Sequence, residues 1–154
     1  MKKGLALLSI WISSAIIIIM LPQSYAGDNA NSIKKFLVEG EGFGNIYLTE
    51  YPFKKLKKLP IESYDIDLSP NGKRVAFTYY LKNGRGRIER TIKIFDYETN
   101  NTIAFESLLN KTSYGPKWSP KGDRIVFNIF DISKENPKWE FGILDPQTKE
   151  WAII

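Results

Sequence analysis

Apolar and polar positions alternate with period two along most of the chain beyond residue 33. Val75, Phe77, Tyr79 and Leu81 share one face of an extended segment, with Arg74, Ala76, Thr78 and Tyr80 on the other. About 50 residues later the segment returns as Ile125, Phe127 and Ile129 against Arg124, Val126, Asn128 and Phe130. Period two is the mark of β-strands, whose side chains point to alternate faces. Both faces are largely apolar here, so these strands are predicted to lie in sheets packed between two others. No stretch carries three turns of helical periodicity, and the fold class expected is all-β.

The strands enter through a repeated turn. Ser69-Pro70-Asn71-Gly72-Lys73-Arg74 recurs as Ser119-Pro120-Lys121-Gly122-Asp123-Arg124, displaced by 50 residues. Proline pre-sets φ for the second position of a type I turn, and the glycine takes the left-handed conformation that closes it with a bulge. Such a turn joins antiparallel strands.

The second half of the unit repeats as well. Ile46-Tyr47-Leu48-Thr49 corresponds to Ile94-Phe95-Asp96-Tyr97 and to Ile143-Leu144-Asp145-Pro146, at spacings of 48 and 49 residues. Four-stranded propeller blades repeat every ~40–50 residues. Polar insertions at 82–90 and 131–138, between the second and third strands, account for the longer spacing. The reading is therefore a partial β-propeller: an incomplete blade at about 34–59, then two full four-stranded blades at about 62–109 and 112–154. Trp151 to Ile154 is expected to be the outermost strand of the last blade, with apolar faces and an edge that something must cover.

Before the repeats, Lys2 and Lys3 precede an apolar run from Leu5 to Leu21 and a small-x-small site at Ser24, Tyr25 and Ala26. This is the layout of a secretory signal peptide over residues 1–26. A mobile leader at 27–33 would follow. An uncleaved amino-terminal membrane anchor is the alternative, since the run is just long enough to span a bilayer. The expected location is periplasmic or secreted, with no membrane insertion once the signal is removed.

Composition narrows the chemistry. Removing Lys2 and Lys3 with the signal takes the formal charge from +5 to +3. The signs alternate along the chain, which describes a solvated surface and not a nucleic-acid stripe. The sequence has no histidine and no cysteine. It also lacks a Gly-x-Ser-x-Gly elbow and a glycine-rich phosphate loop, so triads, zinc sites and nucleotide sites lack their parts. No catalytic, cofactor-binding or metal-binding residue is assigned, no cofactor is implied, and binding residues are not nameable from the sequence.

Several residues still invite a functional reading. Asp96 and Asp145, each followed three positions later by Thr99 and Thr148, are read as turn caps before metal ligands or catalytic acids. Asp65 and Asp67 share a strand face, as paired acids would, yet fit an inner strand lining a wet channel. Lys82, Arg85, Arg87 and Arg90, around Gly84 and Gly86, form a basic hairpin tip with guanidinium forks suited to phosphate or an acidic partner. A solvated loop end is the preferred reading. Trp118, Trp139 and Trp151 are taken as core, with Trp139 the exception in view because it borders an insertion.

The pattern Ser-Pro-x-Gly-x-Arg-Ile/Val-x-Phe, followed by Ile-x-Asp-x-x-Thr, resembles the WD-like propeller repeats of TolB and of the amino-terminal propeller of dipeptidyl-peptidase-type enzymes. The resemblance covers about 62–154 firmly and 34–59 weakly, through turn and core positions. TolB adds an α/β domain and the peptidases a hydrolase domain, and neither has room here. The resemblance implies an exported, non-enzymatic module that binds an envelope protein through loops at one end of the blades. A truncated or regulatory propeller piece of a peptidase or hydrolase, or a carbohydrate-binding propeller, are the alternatives. Homo-oligomerisation, or blades supplied by another chain, would cover the open faces.

Overall fold

The computed structural model describes residues 35–39, 44–50, 55–63, 65–82, 88–105, 111–131 and 137–154. The expected signal peptide and leader lie outside the described residues, as do Gly84, Arg85, Gly86 and Arg87. Eleven strands are described: β1 (Lys35–Glu39), β2 (Asn45–Glu50), β3 (Leu56–Glu62), β4 (Ile66–Leu68), β5 (Arg74–Lys82), β6 (Ile88–Asp96), β7 (Asn101–Ala104), β8 (Lys111–Trp118), β9 (Ile125–Asp131), β10 (Lys138–Leu144) and β11 (Trp151–Ile153). They form three antiparallel meanders of order β1-β2-β3, β4-β5-β6-β7 and β8-β9-β10-β11. One incomplete blade followed by two full ones is thus the architecture, and no helix occurs among the described residues.

The repeated turn has the conformation its residues dictate. Gly72 and Gly122 have φ of 62° and 73°. Each glycine N–H donates to the serine carbonyl three residues back, Gly72 to Ser69 at 2.8 Å and Gly122 to Ser119 at 2.9 Å. The serine hydroxyls close the turn by accepting the N–H of Arg74 at 2.9 Å and of Arg124 at 3.1 Å. Tyr97 Oη donates to the Gly72 carbonyl and accepts from Lys35 Nζ, tying the first blade to the turn of the second.

The middle blade is packed on both faces, as its apolar pattern requires. Val75, Phe77 and Phe95 meet Ile46, Leu48, Leu59 and Ile61 of the first blade. Ala76, Ile92 and Ile94 meet Trp118, Ile125, Phe127, Ile129 and Leu144 of the third. In the third blade the expected burial of both faces holds for one only. Ile125, Phe127 and Ile129 are buried against the second blade, whereas Val126 is exposed. The reason is geometric: the described structure places a blade on one side of β9 and none on the other. Trp118 is core, Trp139 is exposed, and Trp151, expected in the core, is 39% exposed on the edge strand.

Candidate functional site

Asp96 and Asp145 are turn caps. Asp96 Oδ1 accepts the N–H groups of Glu98 at 3.1 Å and Thr99 at 3.0 Å, and Asp145 Oδ1 those of Gln147 at 2.8 Å and Thr148 at 3.2 Å. Each also meets the arginine of the repeated motif, Arg74 at 3.4 Å and Arg124 at 2.7 Å. The backbone N–H of Thr99 first, helped by that of Glu98 and by Arg74, holds the Asp96 carboxyl below its usual range. The N–H groups of Gln147 and Thr148, then Arg124, do the same for Asp145. Both acids are committed to structure.

Asp65 and Asp67 do different work. Asp65 Oδ2 accepts the Thr78 hydroxyl at 3.3 Å within the middle blade. Asp67 is buried and crosses to the third blade, where it accepts the Trp118 N–H at 2.7 Å and faces Lys117 Nζ at 3.5 Å. Thr78 joins the same seam by accepting the Gly115 N–H at 3.2 Å. Among the described residues there is no group of three or more acids, histidines or cysteines that can hold a metal ion.

Of the basic tip, Arg90 is described, and its guanidinium lies 5.5 Å from the Tyr80 ring and 5.7 Å from the Tyr114 ring. The side chains of Lys82, Arg85 and Arg87 lie outside the described residues. A second charged group escaped the sequence reading because its members are far apart in the chain. Lys111 Nζ bridges Glu140 at 2.7 Å and Asp131 at 3.7 Å. An ammonium between two carboxylates offsets their mutual repulsion, which suits packing against the second blade better than proton transfer.

The surface that stands out is the outer face of the third blade. Register pairs Trp139 with Phe130, Phe141 with Asn128, and Ile143 with both Val126 and Ala152, so these side chains share one face. Ile154 adds to it, its N–H bonding the Phe141 carbonyl at 2.9 Å. Trp139 sits 5.4 Å from Tyr114 in an edge-to-face contact and 5.0 Å from Phe130. Burial pushes the Tyr114 hydroxyl pKa up, and that buried oxygen has no hydrogen-bond partner among the described residues. The repeat relates Phe141 and Ile143 to Ile92 and Ile94 of the middle blade. Ile92 is 2% exposed and Phe141 53%; Trp139 is 65% exposed. Sequence spacing held the signal for part of this face, since Val126, Phe141 and Ile143 are the repeat equivalents of the buried Ala76, Ile92 and Ile94, but not the fact that it is open.

No family model and no curated protein sequence matches the chain. Among solved structures it is similar to a putative TolB from Agrobacterium tumefaciens, at 17% identity over 78% of this chain and a TM-score of 0.59. It is also similar to the tricorn protease, at 16% identity over 78% of this chain and a TM-score of 0.55. The chain spans 44% of the first and 14% of the second. Among the described residues no helix is long and apolar enough to cross a membrane. At these identities the likeness shows the fold, and the fold of this chain is that of TolB-like β-propeller blades.

Proposed function

We propose that the chain is an exported, non-catalytic propeller module that binds a protein in the cell envelope through the outer face of its third blade. The observation that carries this reading is the contrast between two equivalent faces. Ile92 of the middle blade is buried under a neighbour, while its equivalent Phe141 stands in solvent beside the exposed Trp139. A contiguous exposed apolar face of this kind marks an interaction surface. Export rests on Lys2, Lys3, the apolar run and Ser24-x-Ala26. The non-catalytic reading rests on a sequence without histidine or cysteine, and on acids engaged in caps and the blade seam.

The test is a photo-crosslinking amino acid at position 139 in the producing cell, with mass spectrometry of the product. The expected outcome is a protein adduct in the envelope fraction whose amino terminus is Gly27. An uncrosslinked chain with its first residues intact overturns the proposal. The tricorn likeness favours a second reading, a propeller piece that works beside a peptidase; an adduct to a hydrolase subunit would select it. Retention on a glycan column, abolished by Trp139→Ala, would select carbohydrate binding.

A further inference from the structure

We infer that the occupant of this face is a second copy of the chain, held in a two-fold dimer in which the two third blades pack face to face. The inference rests on the protein-binding reading above and names its partner. Four features of the face lead to it.

First, the face is apolar to a degree typical of subunit interfaces within one kind of chain. Val126, Phe130, Trp139, Phe141, Ile143 and Ile154 dominate it. Homodimer interfaces are more apolar than those of transient partners. Lys117 stands on the rim, with its ammonium turned to Asp67.

Second, the face lacks the device that joins successive blades in this chain. Asp67 clasps the backbone of the next blade at Trp118. The 50-residue repeat puts Lys117 at the equivalent position, and a lysine cannot accept an N–H. The third blade is therefore not equipped to receive a neighbour as the second blade does, and a sheet-on-sheet contact without that clasp fits it better.

Third, head-to-tail stacking of copies is closed off. On the first blade the face turned away from the second carries Val38 and Thr49, which are 6% and 1% exposed. Leu56, paired with Thr49, is the exposed large apolar side chain of that face among the described residues. One leucine does not match the six apolar side chains of the third blade, so the open face meets itself, and a self-complementary contact closes at two.

Fourth, bulk is distributed to permit this. The aromatic pair Trp139 and Phe130 lies at one end of the face, the smaller Val126, Ile143 and Ala152 at the other, and Phe141 between them. A two-fold axis through the row of Asn128 and Phe141 sets each aromatic end over the other copy's aliphatic end. Sheets packed this way interdigitate at ordinary core spacing.

The experiment uses the absence of cysteine. In the full chain carrying Asn128→Cys, mild oxidation should give a covalent dimer, and light scattering of the unmodified chain should give twice the monomer mass. Phe141→Asp should raise the dimer dissociation constant at least ~30-fold, the loss of one central anchor. Trp139→Lys serves as an independent second variant if Phe141→Asp misfolds by circular dichroism. A dimer insensitive to both substitutions, or a trimer or open polymer, overturns the inference. A monomer whose introduced thiol reacts freely with a maleimide overturns it too, while leaving the face open for a different protein. A monomer whose introduced thiol is unreactive overturns both readings, because the face would then be covered within one chain.

Discussion

The carboxylate of Asp67 accepts the backbone N–H of Trp118 at 2.7 Å, joining positions 51 residues apart across the boundary between the second and third blades. Side chain to backbone is how this seam is held, as in the contact of Thr78 with Gly115 beside it. It works here because Asp67 is 2% exposed and the N–H it takes is buried with it, so neither group is left to water. Lys117 balances the charge from the solvent side.

Removing the carboxylate leaves that N–H unsatisfied. Asp67→Ala should destabilise by ~2–3 kcal/mol, the worth of a buried hydrogen bond to a charged group. Lys117→Ala, which removes a half-solvated partner, should cost less than ~1 kcal/mol. Urea titration of the two variants checks the order, and equal losses would mean the pair acts through its charges and not through the N–H.

Backbone conformation makes a second prediction. Gly72 and Gly122 lie at positive φ, where a β-branched residue is strained whatever room surrounds it. Valine at either should cost ~1–3 kcal/mol, while Lys121→Ala in the same turn should be close to neutral. A thermal melt of the three variants that moves equally would contradict the assigned turn.

A third concerns the cross-strand pair of Gly142 and Phe127. A Cβ on Gly142 would overlap Phe127 Cζ, so the ring lies directly over the glycine. Gly142→Ala should therefore destabilise by ~1–3 kcal/mol through overpacking. Adding Phe127→Leu should recover part of that loss, giving a coupling of ~1 kcal/mol or more in a double-mutant cycle. Strictly additive losses would show that the ring is not the obstacle.

The capped aspartates predict the response to acid. Asp96 and Asp145 are held below the ordinary value of 3.8 by backbone N–H groups and the motif arginines. A carboxyl depressed in the folded state adds stability that is present above its unfolded value and is lost as pH falls through the folded one. The chain should therefore weaken progressively below pH 3.8. The double variant Asp96→Asn, Asp145→Asn should start less stable at neutral pH and lose less on acidification. Parallel curves for the variant and the parent would refute the assignment.

The sequence by itself determined the strands, the turns and the number of repeated units. Those follow from local chemistry: period-two alternation, the φ of Pro70 and Pro120, the left-handed glycines, and aspartates that cap the turn three residues before Thr99 and Thr148. Asp96 and Asp145 were legible for the same reason, since a cap bonds its own neighbours. Asp67 was not, because its partner lies 51 residues away and its neighbours in sequence read only as an alternating strand. The exposure of Phe141 was equally beyond a pattern that equates it with the buried Ile92 of the preceding blade. Whether an apolar face is buried depends on what lies opposite it, and only the tertiary structure decides that.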